Sequence, residues 1–230
     1  INFDNLKFSS KNEFFIEINN KFKLTDYEVK SSLDLNELSI KNSINAKKIF
    51  PHLKSQIKLK DHKVNMIFKK GNFLINGNGE FLIQKNYDEA SYKIEKINNK
   101  HLFDIRLNFI KNSINFTSLN YKTNEDNKTS LELNGKLFKN KTLDLEKIKF
   151  ESGSDIISVN NLKLTNDYKI SNLRSAMFDF IDKQNKKNIF QINNKEGKYI
   201  ISGKVFNASK LIEDLIFDDN KNRDIFDTDH

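Results

Sequence analysis

A hydrophobic alternation with a period of two returns along almost the whole chain, and few folds can satisfy it. It is plain at His101-Leu102-Phe103-Asp104-Ile105-Arg106-Leu107-Asn108-Phe109. Successive side chains on a strand point to opposite sides of the sheet. Phe103, Ile105, Leu107 and Phe109 therefore share one face, and Asp104, Arg106 and Asn108 share the other. Each such strand has one apolar face and one wet face. Many of them in series predict a sheet whose apolar side must meet something.

The same pattern recurs at Phe14/Ile16/Ile18, at Tyr27/Val29/Ser31/Leu33/Leu35 and at Leu53/Ser55/Ile57/Leu59. Asp61-His62-Lys63 reads as a turn, with Val64, Met66 and Phe68 on the returning strand. Asn36 to Phe50 is less regular and ends at Pro51, the only proline, which suits a crossing segment or a bulged edge. Phe73, Ile75, Gly77, Gly79, Phe81 and Ile83 keep one phase through two glycines. One long strand with its glycines facing a close neighbour fits this run. A tight hairpin at Asn76-Gly77 is the alternative.

Further on, the phase slips between Ile114/Phe116 and Leu119/Tyr121, and again near Glu146-Lys147, which predicts two bulges or bends. Leu131, Leu133, Gly135 and Leu137 form a strand, and Leu143 and Leu145 return after Lys139-Asn140-Lys141. Residues 173–181 fit both helical and strand spacing, and strand agrees better with what surrounds them. Asn207 suits the cap of a short helix from Ala208 to Phe217. Short turns between about a dozen strands favour an antiparallel meander. The expected fold is all-β: an elongated, mainly antiparallel curled sheet forming an apolar groove, with a short C-terminal helix. Residues 1–217 are read as a groove segment of a larger protein, and residues 218–230 as a charged, disordered tail.

Composition narrows the function classes. Only 37% of the 230 residues are hydrophobic, which suits a one-faced sheet better than a two-layer sandwich. The formal charge is +8, yet arginine stands only at 106, 174 and 223. Lysine-dominated basicity is poorly suited to the bidentate reading of bases and phosphates, so no nucleic-acid partner is expected. It is compatible with attraction to anionic membrane surfaces. The chain has no cysteine, which rules out disulfides, thiol catalysis and zinc-thiolate sites. His52, His62, His101 and His230 have no metal-ligand spacing, and there is no nucleophile elbow or phosphate loop. No enzymatic activity, metal or cofactor is expected.

An apolar trough of this kind suits acyl chains, because hydrocarbon burial contributes about 0.8 kcal/mol per CH₂ without specific polar contacts. Alternation assigns its lining to Val64, Met66, Phe68, Phe73, Ile75, Phe81, Ile83, Phe103, Ile105, Leu107, Phe109, Leu131, Leu133 and Leu137. A one-residue slip would exchange the faces.

The run from Tyr199-Ile200-Ile201-Ser202-Gly203 through Phe206-Asn207-Ala208-Ser209 to Leu215-Ile216 resembles a segment of AsmA-like bacterial proteins of the YhdP and TamB type. In that segment a Gly-bearing strand leads to Phe-Asp-Ala-Ser and a Leu-rich helix. Asn207 stands where Asp is usual. The strands bearing Gly77, Gly79 and Gly135 are similar in style. The resemblance implies a piece of an inner-membrane-anchored periplasmic protein whose β groove carries phospholipid towards the outer membrane. It implies phospholipid acyl chains as partners, membrane contact through other parts of the parent, and no catalytic residues. A structural or adhesive β protein with a dry core, or a jellyroll lipopolysaccharide carrier, would share parts of this pattern.

Overall fold

The computed structural model describes residues 3–42, 47, 49–207 and 209. Its strands are β1 (Phe3–Ile18), β2 (Leu24–Lys41), β3 (Gln56–Lys69), β4 (Asn72–Leu82), β5 (Asp88–Ile97), β6 (Lys100–Phe109), β7 (Asn115–Phe116), β8 (Tyr121–Lys122), β9 (Thr129–Phe138), β10 (Leu143–Ser152), β11 (Asp155–Leu164), β12 (Ile170–Ile181), β13 (Lys187–Lys195) and β14 (Lys198–Val205). Twelve of them form one antiparallel sheet in strict chain order, interrupted only where β7 and β8 pair with each other. The sheet is open, with β1 and β14 at its two edges. The expected helix over 208–217 and the tail 218–230 lie outside the described residues, Ser209 apart.

The register aligns the alternating residues into rows that cross the sheet. Leu33 faces Val64, Val64 faces Gly77, and Gly77 faces Tyr92. The row continues through Ile105, Leu133, Ile148, Val159, Ala176 and Ile192 to Ile201. On the other face Arg106 faces Glu132, which lies 3.4 Å from it and 3.8 Å from Lys147. In-register pairing of same-face apolar residues is the main stabilising contact available to a sheet without a second layer.

Three expectations need correction. Asp61-His62-Lys63 is not a turn. β3 runs straight through it, and a bulge sets Asp61 and His62 against Gly79 alone, with Asp61 at φ 52°. The extra residue absorbs the slip, so Leu59 and Val64 stay on one face. Residues 114–121 are not a bent strand of the sheet. They form the β7–β8 ribbon around a single 3₁₀ turn, Thr117–Leu119, with Asn120 in the left-handed region. Leu53 and Ser55 precede β3 rather than opening it. By contrast, the ladder does slip between Leu145 and Lys147, and residues 170–181 are strand.

β4 is one strand through both glycines, and side chains of neighbouring strands fill the space above them. A Cβ on Gly77 would stand 2.5 Å from the Tyr92 ring, and one on Gly79 would stand 2.7 Å from the Cα of His62. The second obstacle is backbone and cannot rotate aside. Gly79→Ala is expected to lower stability by about 1–3 kcal/mol, read as a drop in the urea midpoint at unchanged slope.

Candidate functional site

The connections at the two ends of the strands differ, and this difference shapes the apolar face. At one rim β1–β2, β3–β4, β5–β6, β9–β10, β11–β12 and β13–β14 are joined by tight turns. At the opposite rim two longer connections, residues 49–55 ahead of β3 and residues 110–128 between β6 and β9, fold across the apolar face. They are tied together where the Asn115 amide donates to Ile49 O at 2.9 Å.

Beneath them lies a dry cluster. Phe81, Phe109, Phe150, Ile157, Phe180 and Phe190 come from the sheet, and Ile114 and Tyr121 from the 110–128 strap. Phe116 of the strap meets Phe150 edge-on at 5.1 Å, and Tyr121 meets Phe180 at 5.3 Å. Such edge-to-face pairs add to the burial of the rings.

Polar groups clamp the strap at its start and near its middle. At its start, the Ile110 amide donates to Asp88 Oδ1 at 2.6 Å and Asn112 Nδ2 donates to Asp88 Oδ2 at 2.7 Å. Gln84 Nε2 donates to Ser113 O at 3.0 Å. Further along, the Tyr121 hydroxyl donates to Asp155 Oδ2 at 3.0 Å, and the Lys183 amide donates to Asn120 O at 2.9 Å. Burial pushes the Tyr121 phenol up, and the Asp155 charge pushes the same way.

Asp88 has no exposed surface. Burial raises its carboxyl to about 6, against the pull of its two hydrogen bonds, which favour the charged form. An acid raised on folding binds protons more tightly in the folded state. Its ionisation therefore costs folding nothing below the unfolded value of 3.8, progressively more from there to about pH 6, and a constant amount above. Asp88→Asn removes that titration. The stability of this variant relative to the parent chain is expected to rise by about 1–3 kcal/mol from pH 4 to pH 7 and then level off, as read by urea unfolding at several pH values.

The fourteen lining positions share the apolar face but divide into two bands. Phe81 and Phe109 lie in the dry cluster, with Ile83, Leu107 and Leu131 packed against it. Val64, Met66, Phe68, Phe73, Ile75, Phe103, Ile105, Leu133 and Leu137 lie outside that cluster. Of these Val64 is buried, Phe68 and Leu137 are exposed, and the rest are half-buried.

No protein-family model, curated protein or solved structure matches this chain. The AsmA-like resemblance therefore rests on the sequence alone, with its motif confined to 199–216, most of whose second half lies outside the described residues.

Sequence reasoning overlooked three things. His62 is 2% exposed, shares its Nδ1 with the Tyr92 hydroxyl at 3.2 Å, and places Nε2 2.8 Å from Glu80 O. In a neutral ring, an Nε2 proton donated to that carbonyl leaves Nδ1 to accept from Tyr92. A His between two apolar strands carries no sequence signal for this role. The strap and its Asp88 anchor depend on contacts across 22 or more residues, which periodicity does not register. The polar face also carries apolar residues: Ile156, Met177 and Ile189 line a shallow cleft of about 300 Å³ there. Among the described residues no group of three or more His, Asp or Glu converges on a metal position, and no helix is long and apolar enough to cross a membrane.

Proposed function

We propose that the open band of the apolar face holds lipid acyl chains and lets them slide across the strands, without enzymatic chemistry. One observation carries the reading. Same-face apolar rows run across the sheet from β2 to β14, and outside the strap cluster most of the lining residues are half-buried or exposed. An uncovered apolar surface of this extent is unusual for a chain that functions alone. Hydrocarbon fits it because the rows are mostly Phe, Ile, Leu and Val, with the Tyr92 hydroxyl turned to His62, and each buried CH₂ contributes about 0.8 kcal/mol. In this reading the strap closes one side of the groove and the tight-turn rim stays open to headgroups. The AsmA-like resemblance extends this reading to transfer of phospholipid between inner and outer membranes, as part of an inner-membrane-anchored periplasmic protein.

Native mass spectrometry of the gently purified chain, with lipid extraction, tests the reading. Co-purifying phospholipid is expected. A lipid-free chain that unfolds cooperatively would overturn it. The second reading, a structural or adhesive β protein, is favoured by the dry cluster under the strap and by the apolar cleft on the other face.

A further inference from the structure

The β1–β2 hairpin outruns the rest of the sheet. Glu28↔Lys69 is the last pair of β2 with β3, whereas β1 and β2 stay paired through Ile16↔Tyr27, Glu17↔Asp26 and Ile18↔Leu24. Residues 24–27 therefore project about 13 Å past the β3 ladder. The tip is a closed turn. The Asn19 amide donates to Lys23 O at 3.0 Å, and the Phe22 amide donates to Asn19 O at 2.9 Å. Asn19 Oδ1 accepts from the Lys21 and Lys23 amides.

This turn gives its fourth residue a left-handed backbone. The same hydrogen-bond pattern recurs at 138–142, 165–169 and 182–186, with Lys141 at φ 66°, Tyr168 at 65° and Asn185 at 58°. Asn is the expected occupant of such a position, because a bulky side chain is strained there. Phe22 takes it at φ 55° and is 85% exposed. Within the chain Phe22 gains neither a relaxed backbone nor burial. Ile16, Ile18 and Leu24 beside it are also exposed. Lys21 and Lys23 flank Phe22 in the chain, and among the described residues neither has a carboxylate within ion-pair distance. The nearby Asp26 lies 3.9 Å from Lys69.

We infer that the β1–β2 hairpin tip docks this chain on an anionic lipid surface, with Phe22 inserted among the acyl chains and Lys21 and Lys23 held at the headgroups. An aromatic ring between two lysines matches the layering of a membrane interface, apolar below and anionic above. The inference is independent of whether the groove carries lipid. Loss of vesicle docking with phospholipid still co-purifying would separate the two.

The chain contains no tryptophan, so Phe22→Trp supplies a single reporter at the tip. With phosphatidylcholine vesicles containing phosphatidylglycerol, its emission is expected to shift to the blue, and pure phosphatidylcholine should produce much less shift. Phe22→Ser should weaken co-sedimentation with the anionic vesicles about tenfold. Lys21→Ala and Lys23→Ala should each weaken it about fivefold at low salt and less at high salt. Tyr168→Ser is the control: it removes a 70% exposed aromatic from the same kind of turn, but one that carries Asp167. It should leave docking unchanged. Unshifted emission from the Phe22→Trp variant, equal losses from Phe22→Ser and Tyr168→Ser, or a blue shift that grows with protein concentration in the absence of vesicles would each overturn the inference. The last result would mean that a second copy covers the tip.

Discussion

Ile105→Asp is expected to strip co-purifying phospholipid from the chain, and Arg106→Asp to leave it in place. The two residues are adjacent on β6 but point to opposite faces. Ile105 sits mid-row between Tyr92 and Leu133, and Arg106 lies beside Glu132. Ile105 is only half-buried and borders the open band, so a carboxylate there can stay hydrated while the groove is empty. Once an acyl chain covers it, the same carboxylate must lose water without a partner, which costs several kcal/mol. The penalty falls on the loaded state and so acts on binding more than on folding. Lipid extraction and native mass spectrometry on both variants read the effect, with the urea midpoint confirming that each is folded. Equal lipid retention by the two would sink the face assignment.

The largest loss of stability is expected from Phe150→Ala, at about 3–5 kcal/mol. Phe150 is 1% exposed, faces Leu131 and Ile157 across the ladder, and lies under the Phe116 and Tyr121 rings of the strap. Removing it leaves a void that neither the sheet nor the clamped strap can easily collapse into, because Asp88 and Asp155 hold the strap on both sides. A chain of this size has only about 5–15 kcal/mol of net stability, so the variant should unfold at a much lower urea concentration. Phe68→Ala, at an exposed position on the same face, should cost less than about 1 kcal/mol. Similar losses from the two would mean that the strap cluster is not the dry core.

Local rules reached the strands, their alternation and the antiparallel meander, because a period of two and short turns act within a few residues. They also reached the ladder slip at Leu145/Lys147, where the phase change is visible in the order of residues. They failed at His62. A bulge and a turn both read locally as polar residues between apolar runs, and only pairing with Gly79 distinguishes them. They failed again at 114–121, where Ile114/Phe116 and Leu119/Tyr121 each keep strand-like spacing yet cross the sheet instead of joining it.

Which residues share a face is legible in the order of amino acids, because alternation fixes side-chain direction on a strand. Which part of that face is covered depends on long-range packing. Phe81 and Phe103 have the same local pattern, but Phe81 lies in the cluster sealed by the 110–128 strap and Phe103 does not. That difference comes from hydrogen bonds such as those from Ile110 and Asn112 to Asp88, made between residues 22 and 24 positions apart. Contacts at such separations leave no period for a local reading to find.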